Sequence, residues 1–431
     1  MAEPTTARAV ARRVLARVER GGAWATLALD AELRRAGLDD RDRRLAAELV
    51  YGVLRHQPRL DRALAAHADL KRTPPAVRIA LRVAAYQLLF LDRVPAHAAV
   101  DDAVGAARAA GGTRLGGFAN AVLRKLATAG EPALPPPGRA RLEAEHSMPA
   151  WIVDELAAAL GPDDALDDAV AALNRPAPLA VRANRRRTDR DRLIATLEAE
   201  GGTVTASPHA AAGLLATGLG DPDASPSFRA GLWTVQDLGA QRVGELAAPA
   251  PRARILDACA GVGGKSTHLA ELTDDRAAID AADSADQKLR LAAGTARRLG
   301  LSSIRAVHCD LLDRAAPIAA AYDLVVLDAP CTGLGVLRRH PEAKWRLAAG
   351  DVPRMAALQA QLLDATAPRV APGGALVYSV CTFTRAEGPE QVAAFLARTP
   401  GFALDGAEQR TWPHRDEADA FYMARLVRPS R

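Results

Sequence analysis

From about residue 5 to residue 128, apolar side chains recur every three or four positions. Ala9, Val10, Val14, Leu15 and Val18 form one set, and Leu45, Leu49, Val50, Val53 and Leu54 a second. Ile79, Leu81, Val83, Leu88 and Leu89 form a third. This is the stripe an amphipathic helix turns toward a core. Asp39 and Asp40 are suited to cap a helix beginning near Arg41. Pro74 and Pro75 are suited to open the next helix, and Pro95 to end it. Several helices on short connections predict an all-α bundle over residues 1–130. The proline-rich run 131–138 then predicts a linker covering 131–145.

Beyond the linker the period changes. Helices are predicted over 149–160 and 163–173, then a strand over 179–183 and a helix over 189–200 stopped by Gly201 and Gly202. Short strands follow over 203–206 and 214–217. The pattern predicts a small α+β module within 146–235, with Pro222, Pro226 and nearby serines marking loop. From residue 255 short apolar runs (255–259, 277–282, 304–308, 322–327 and 375–379) alternate with helical stretches, the clearest being 285–299 and 353–370. Such alternation predicts a parallel sheet covered on both faces, an α/β domain over 236–431. The fold class is therefore multidomain: a helical bundle, a small α+β module, then α/β.

Composition narrows the partners. A length of 431 residues suits about two to four domains. A net charge of +5 favours an anionic partner, nucleic acid first. Four cysteines in so long a chain make no disulfide framework. None forms a C-x-x-C pair, so no metal is expected. No apolar stretch is long enough to span a bilayer, and the N-terminus lacks the apolar core of a signal peptide. A soluble cytoplasmic protein with no membrane partner is expected.

Two of the cysteines carry the most information. Cys331 closes Asp328-Ala329-Pro330-Cys331, and Cys381 lies in Tyr378-Ser379-Val380-Cys381-Thr382. Each follows a predicted strand, so both stand at strand ends, where open α/β sheets place their chemistry. Another predicted strand runs into Cys259-Ala260-Gly261-Val262-Gly263-Gly264-Lys265. Its glycines let backbone approach a ligand, and the helix after it offers free N–H groups to an anionic group. The spacing is neither that of the dinucleotide fingerprint nor of a Walker loop. Asp283, about 20 residues on, is placed to hold ribose hydroxyls, with Asp280 an alternative by position. Asp310 ends the next strand and is placed to bind a base amino group.

A glycine turn with a ribose-binding acid suits adenosyl cofactors as well as dinucleotides. The thiols decide between them. Hydride transfer has no use for a pair of thiols at neighbouring strand ends. Methylating a pyrimidine carbon needs a thiolate, which must first add to the neighbouring ring carbon. Cys259 and Cys309 read instead as small buried hydrophobes.

The stretch from Asp328 through Cys331, Thr332, Gly333, Leu334 and Gly335, followed by Arg338-Arg339-His340-Pro341 and Lys344-Trp345, resembles the fourth motif of RNA cytosine-C5 methyltransferases. Within that group it resembles the Sun/Fmu type, which acts on bacterial small-subunit ribosomal RNA. The likeness covers nearly the whole chain. Stretches 45–55, 84–89, 100–104 and 118–124 resemble the RNA-binding NusB domain. Residues 228–241 are similar to the family's entry into the methyltransferase domain, and 420–426 to its closing strand.

The resemblance implies a NusB-like bundle, a Rossmann-like class I methyltransferase domain, and S-adenosyl-L-methionine as cofactor. Cys259, Ala260, Gly261, Val262, Gly263, Gly264, Lys265, Asp283, Asp310 and Asp328 would form the cofactor and base site. Cys381 would be the nucleophile that adds to C6 of a flipped-out cytosine, and Cys331 the thiol that helps release product. Asp328, if protonated, would donate to N3. Such a site should depress the Cys381 thiol, with Lys265 and Lys344 as candidate electropositive neighbours. In DNA cytosine-C5 methyltransferases the Pro-Cys thiol is the nucleophile, so only the RNA-family likeness favours Cys381. The chain departs from the family at Gly261-Val262, where Ala-Pro is usual, at Val380, where Thr is usual, and at Glu387-Gly388, where Glu-Asn is frequent.

The same likeness implies 16S ribosomal RNA as the partner of a monomeric enzyme of ribosome maturation, with tRNA the alternative. Arg182, Arg185, Arg186 and Arg187 make the densest cationic cluster, and Arg338 and Arg339 follow the Cys331 motif. Arg185, Arg186, Arg187, Arg338 and Arg339 are the expected RNA contacts. The bundle is expected to dock structured RNA by shape. An RNA-binding assembly factor with an inert methyltransferase domain predicts loss of a thiol or of the ribose acid, and all are present.

Overall fold

A computed structural model describes residues 6–161 and 165–430. It divides into two units, one made of Met1–Val153 with Arg339–Arg346, the other of Asp154–Arg338 with Leu347–Arg431.

The first unit is helical: α1 (Ala7–Gly21), α2 (Ala25–Ala36), α3 (Asp40–Ala65), α4 (Pro75–Phe90), α5 (Ala96–Ala129) and α6 (Arg139–His146). The apolar stripes meet in one core, where Val14, Leu49, Val53, Leu81 and Leu123 are all buried. Asp39 caps α3 by accepting from the Asp42 N–H at 2.8 Å. Pro75 occupies the first turn of α4. That helix stops at Phe90, short of Pro95, which instead precedes α5. A proline at the start of a helix loses nothing, because its missing N–H has no intrahelical partner there. The expected linker is not slack chain. Glu131 pairs with Arg59, Arg62 donates to the carbonyls of Pro132 and Ala133, and α6 packs on α3.

α3 bends at His56, whose backbone leaves the helical region, two residues before Pro58. Pro58 has no N–H for the Leu54 carbonyl, and the Arg59 N–H turns to Ser147 Oγ at 3.1 Å. Two carbonyls are thereby released inside the unit. The Arg339–Arg346 segment takes both: Trp345 Nε1 donates to Leu54 at 2.9 Å, and Lys344 Nζ to Arg55 at 2.9 Å. Glu342 accepts the Ala25 N–H at the start of α2, where Trp24 supplies no side-chain cap.

The second unit continues from α7 (Ala150–Ala159) through α8 (Leu166–Leu173). The predicted start of the latter at residue 163 lies outside the described residues. The module follows as β1 (Leu179–Ala183), α9 (Arg190–Ala199), β2 (Thr203–Ala206), β3 (Gly213–Thr217), α10 (Pro226–Arg229) and β4 (Trp233–Val235). Its strands form an antiparallel sheet in the order β2-β3-β1-β4. Pro222 and Pro226, expected in loop, open short helical turns capped by Asp221 and Ser225.

The large sheet contains β5 (Arg254–Ala258), β6 (Ala278–Asp283), β7 (Ile304–His308), β8 (Tyr322–Asp328), β9 (Val370–Val380), β10 (Ala403–Leu404), β11 (Gln409–Thr411) and β12 (Phe421–Val427). Helices α11 (Leu238–Ala247), α12 (Gly264–Leu272), α13 (Asp286–Leu299), α14 (Asp351–Thr366), α15 (Pro389–Arg398) and α16 (Pro413–Asp416) complete the domain. The strand order is β10-β12-β9-β8-β5-β6-β7, with β11 beside β12. β5 to β9 run parallel, and β12 runs antiparallel to β9, so the sheet is mixed rather than wholly parallel. Alternate residues feed two cores: Val325, Leu327, Leu376 and Tyr378 on one face, Leu324, Val326, Ala375 and Val377 on the other. Burial on both faces explains why these strands read as continuous apolar runs. From β5 the strand order runs one way to β6 and β7 and the other way to β8 and β9. The crevice at that reversal is where such sheets bind ligands.

Candidate active site

Five strand ends converge on the reversal point. β5 ends in the glycine turn. Cys259 sits there at φ +65°, a left-handed conformation uncommon for a residue with a side chain. Gly263 follows at φ +81°, and a Cβ on it would come 2.7 Å from Ala292 Cβ, so the turn packs tightly against α13. β6 ends at Asp283, which accepts from the Gly261 N–H at 2.9 Å and the Ala285 N–H at 2.8 Å. Asp283 therefore also fixes the turn. Asp280 is not a rival: it is paired with Arg305 and accepts from Tyr322.

Cys259, Gly261, Asp283, Asp310, Asp328, Cys331 and Cys381 line one cavity of about 530 Å³, together with Ser284, Lys288 and the apolar Leu311, Leu312, Leu358 and Leu362. Carboxylates at two strand ends, a glycine turn and leucine walls suit the ribose, the base and the chain of an adenosyl group. Ala260, Val262, Gly263 and Gly264 shape the turn without lining this cavity, and Val262 is exposed. Among the described residues no cluster of three or more His, Cys, Asp or Glu side chains could hold a metal ion, and no helix is long and apolar enough to cross a membrane.

The two reactive cysteines meet. Cys331 Sγ lies 3.4 Å from Cys381 Sγ. The hydrogen bond to Cys381, then burial and the charges of Cys381 and Glu387, push the Cys331 thiol well above its ordinary range. Burial raises Cys259 to about 12 and raises Cys309 as well, yet both are half-buried and line the cavity rather than being the fully buried packing groups expected, packing only on the edge of one core.

Lys265 is buried beneath the cavity. Burial disfavours its charge, yet Asp328 and Asp257 hold the ammonium above its ordinary value, and the Cys381 sulfur acts in the same direction. Its Nζ donates to Asp328 Oδ2 at 2.5 Å, and Ser379 Oγ donates to Oδ1 at 2.9 Å. Both oxygens of Asp328 therefore accept, the arrangement of a carboxylate rather than of the acid that would donate to N3. Lys344 does not serve as a neighbour of the thiols: its ammonium sits in the helical unit on the Arg55 carbonyl, and burial pulls it well below its ordinary value.

Backbone contacts seal the two cysteine loops together. The Gly335 N–H donates to the Cys381 carbonyl at 3.0 Å, and the Ala420 N–H to the Gly335 carbonyl at 3.0 Å. A Cβ at 335 would come 1.9 Å from the Ala420 oxygen, so only glycine fits. Glu387 was noted in the sequence only as half of a departure. It is fully buried and binds both loops. Its one local signal, Thr384 three residues earlier, reads as a helix-capping box ahead of α15. Ser379 and Gln359 carried no signal of their own.

The expected RNA contacts separate. Arg182 is fully buried and paired with Glu271 at 2.8 Å, so it is no solvated cation. Arg186 donates to the Gly300 carbonyl and lies near Asp274 and Asp275, and Arg187 donates to the Ala230 carbonyl. Arg338 is buried with Nη1 on the Ala418 carbonyl, which fits a loop anchor rather than a phosphate contact. Arg185 is exposed, and Arg339 belongs to the helical unit.

Comparison with known proteins agrees along the whole chain. Residues 245–427 match the family described as 16S rRNA methyltransferase RsmB/F. Residues 5–128 match the NusB family, and 148–219 the ferredoxin-like domain of RsmF/B-like methyltransferases. The chain is 36% identical to the ribosomal RNA small subunit methyltransferase B of Pseudomonas putida, covering 98% of each. It is 34% identical to the probable enzyme of that name from Synechocystis, covering 98% of this chain and 99% of the relative. The crystal structure titled PH0851 superposes with a TM-score of 0.83 at 25% identity over 99% of both chains. NSun6 from Pyrococcus horikoshii with SFG gives 0.59 at 20% identity over 66% of this chain and 99% of that one.

Proposed function

Since the chain belongs to the RsmB/F family of 16S rRNA methyltransferases, we propose that it methylates C5 of a cytosine in 16S rRNA through a transient bond from Cys381 to the ring. The observation that carries this reading is the 3.4 Å approach of Cys331 and Cys381 in the cavity that also holds Gly261, Asp283 and Asp310. The likenesses to known proteins support the RNA class and the cofactor class; SFG is an analogue of S-adenosylmethionine.

When bound, S-adenosylmethionine supplies an electrophilic methyl group. Asp283 would hold the ribose hydroxyls, Asp310 the base amino group, and the turn 259–264 the backbone side of the cofactor. Cys381 as thiolate adds to C6 of the flipped cytosine, which makes C5 nucleophilic. Lys265 pairs with Asp328, so Asp328 accepts from the cytosine amino group rather than donating to N3. After methylation a water molecule takes the proton from C5, the electrons return to the ring, and the C6–Sγ bond breaks to free Cys381 as the thiolate. Cys331, 3.4 Å from the departing sulfur, is placed to assist its release. Arg185, exposed beside the small module, remains a proposed phosphate contact.

The test is to incubate the full chain and S-adenosylmethionine with 16S rRNA and tRNA from cells lacking the protein, then map 5-methylcytosine by bisulfite sequencing. One new methylated cytosine in 16S rRNA is expected. Methylation confined to tRNA, or label appearing anywhere but C5, would overturn the assignment.

A further inference from the structure

Glu387 is a buried carboxylate that the steps above leave unused. Its relative exposure is 0%. Its oxygens accept from four donors: the Thr332 N–H at 2.8 Å, Thr332 Oγ1 at 2.6 Å, Thr384 Oγ1 at 2.9 Å and Gln359 Nε2 at 3.0 Å. A carboxylate removed from water is costly unless hydrogen bonds replace its hydration, and these four do so.

The donors belong to the two reactive loops and the helix beneath them. Thr332 follows Cys331. Thr384 lies three residues after Cys381, and Thr382 Oγ1, one residue after Cys381, is 3.0 Å from Thr332 Oγ1. Gln359, on α14, also donates to the Pro330 carbonyl at 3.0 Å, just ahead of Cys331. The Glu387 carbonyl in turn accepts from Tyr378 Oη at 2.6 Å, on the strand that leads to Cys381.

We propose that Glu387 is a positioning residue: its carboxylate clamps the Cys331 loop to the Cys381 loop and so sets the distance between the two sulfurs. The proposal rests on the reading above for why that distance matters to methylation. Both sulfurs must be set against one cytosine, and small misplacements at a reacting centre are costly. The clamp itself is read from the contacts alone.

The experiment uses the full chain with Glu387→Gln and Thr332→Val. The first keeps the shape but turns an N–H donor toward groups that already donate. The second removes one hydroxyl and leaves the carboxylate. Far-UV circular dichroism and S-adenosylmethionine titration report whether each variant keeps its fold and cofactor site. Diamide is then added to the native protein without RNA. It takes two electrons and two protons from the thiols and becomes the hydrazine, leaving a Cys331–Cys381 disulfide, so its rate reads how readily the sulfurs meet. Both variants should close that bond slower by about tenfold or more, and their kcat on RNA should fall to a similar degree while cofactor affinity holds. Disulfide closure at the wild-type rate in both variants would overturn the clamp. If Glu387→Gln does not fold, Thr332→Val alone decides. Should the wild type methylate no RNA, the diamide rates still judge the clamp, so the two ideas fail separately.

Discussion

The Cys331 sulfur lies 3.4 Å from the Cys381 sulfur, although 50 residues separate them in the chain. The sheet brings them together: β8 and β9 are parallel neighbours with Asp328 opposite Ser379, and each cysteine stands just beyond its strand. The contact with Cys381 and burial raise the Cys331 thiol well above its ordinary range. Replacing Cys381 with Ala should reduce methyl transfer by about 10³-fold or more, since the sulfur proposed to bond the ring is then missing. Replacing Cys331 with Ala should leave the ring bonded to Cys381, seen as RNA-shifted protein that survives denaturant on a gel. If the shifted band came from the Cys381 variant instead, the two roles would have to be exchanged.

Arg182 and Glu271 tie the small sheet to α12. Arg182 reaches both carboxylate oxygens of Glu271, Thr267 Oγ1 and the Gly264 carbonyl. Breaking one side of a buried pair strands the other charge, so Arg182→Ala should cost about 3–5 kcal/mol in urea unfolding. Replacing both residues with Met should cost clearly less, because no lone charge remains. Equal losses for the single and double variants would mean that packing, not charge, holds this joint.

The contact of Trp345 with Leu54 follows from a missing donor. Trp345→Phe leaves the Leu54 carbonyl without its partner and should destabilise by about 1–3 kcal/mol. Pro58→Ala restores an N–H that can reach the same carbonyl. Trp345→Phe should therefore cost less in the Pro58→Ala background, and a cycle of thermal unfolding measurements would reveal the coupling. Additive losses would separate the indole from the kink.

Asp257 gives a pH signature. Burial raises its carboxyl to about 6, only partly offset by the Ser266 hydroxyl. A folded value above the unfolded one means that protonation favours the native state. This contribution is full below pH 4 and is lost as pH rises through 6, by about 3 kcal/mol in all. Asp257→Asn removes it. The stability of the Asn variant relative to wild type should rise between pH 4 and 7.5; a constant difference would show that Asp257 titrates as it does in the unfolded chain.

Most elements were legible because they bury apolar faces with a regular period. Strands 203–206 and 304–308 match to the residue, and the helical N-terminal unit matches in kind. Local competition explains the misses. Pro95 starts a helix rather than ending one, since the same residue serves either side of a turn. Pro222 and Pro226 open helical turns because Asp221 and Ser225 precede them as caps. The arginines beside the module looked alike in the sequence, yet one is buried against Glu271 and two are bound to carbonyls.

By itself the sequence determined the thiols, the glycine turn, Asp283 and the order of the elements, because these depend on residue type and on short-range periodicity. Tertiary structure alone decided which charges meet. It set Lys344 on the Arg55 carbonyl, which the Arg59 N–H leaves for Ser147, bound Lys265 to Asp328, and buried Glu387 between two loops. Such pairings join residues tens to hundreds of positions apart. Their energies depend on distance and on exclusion from water, and neither is written in any local stretch of chain.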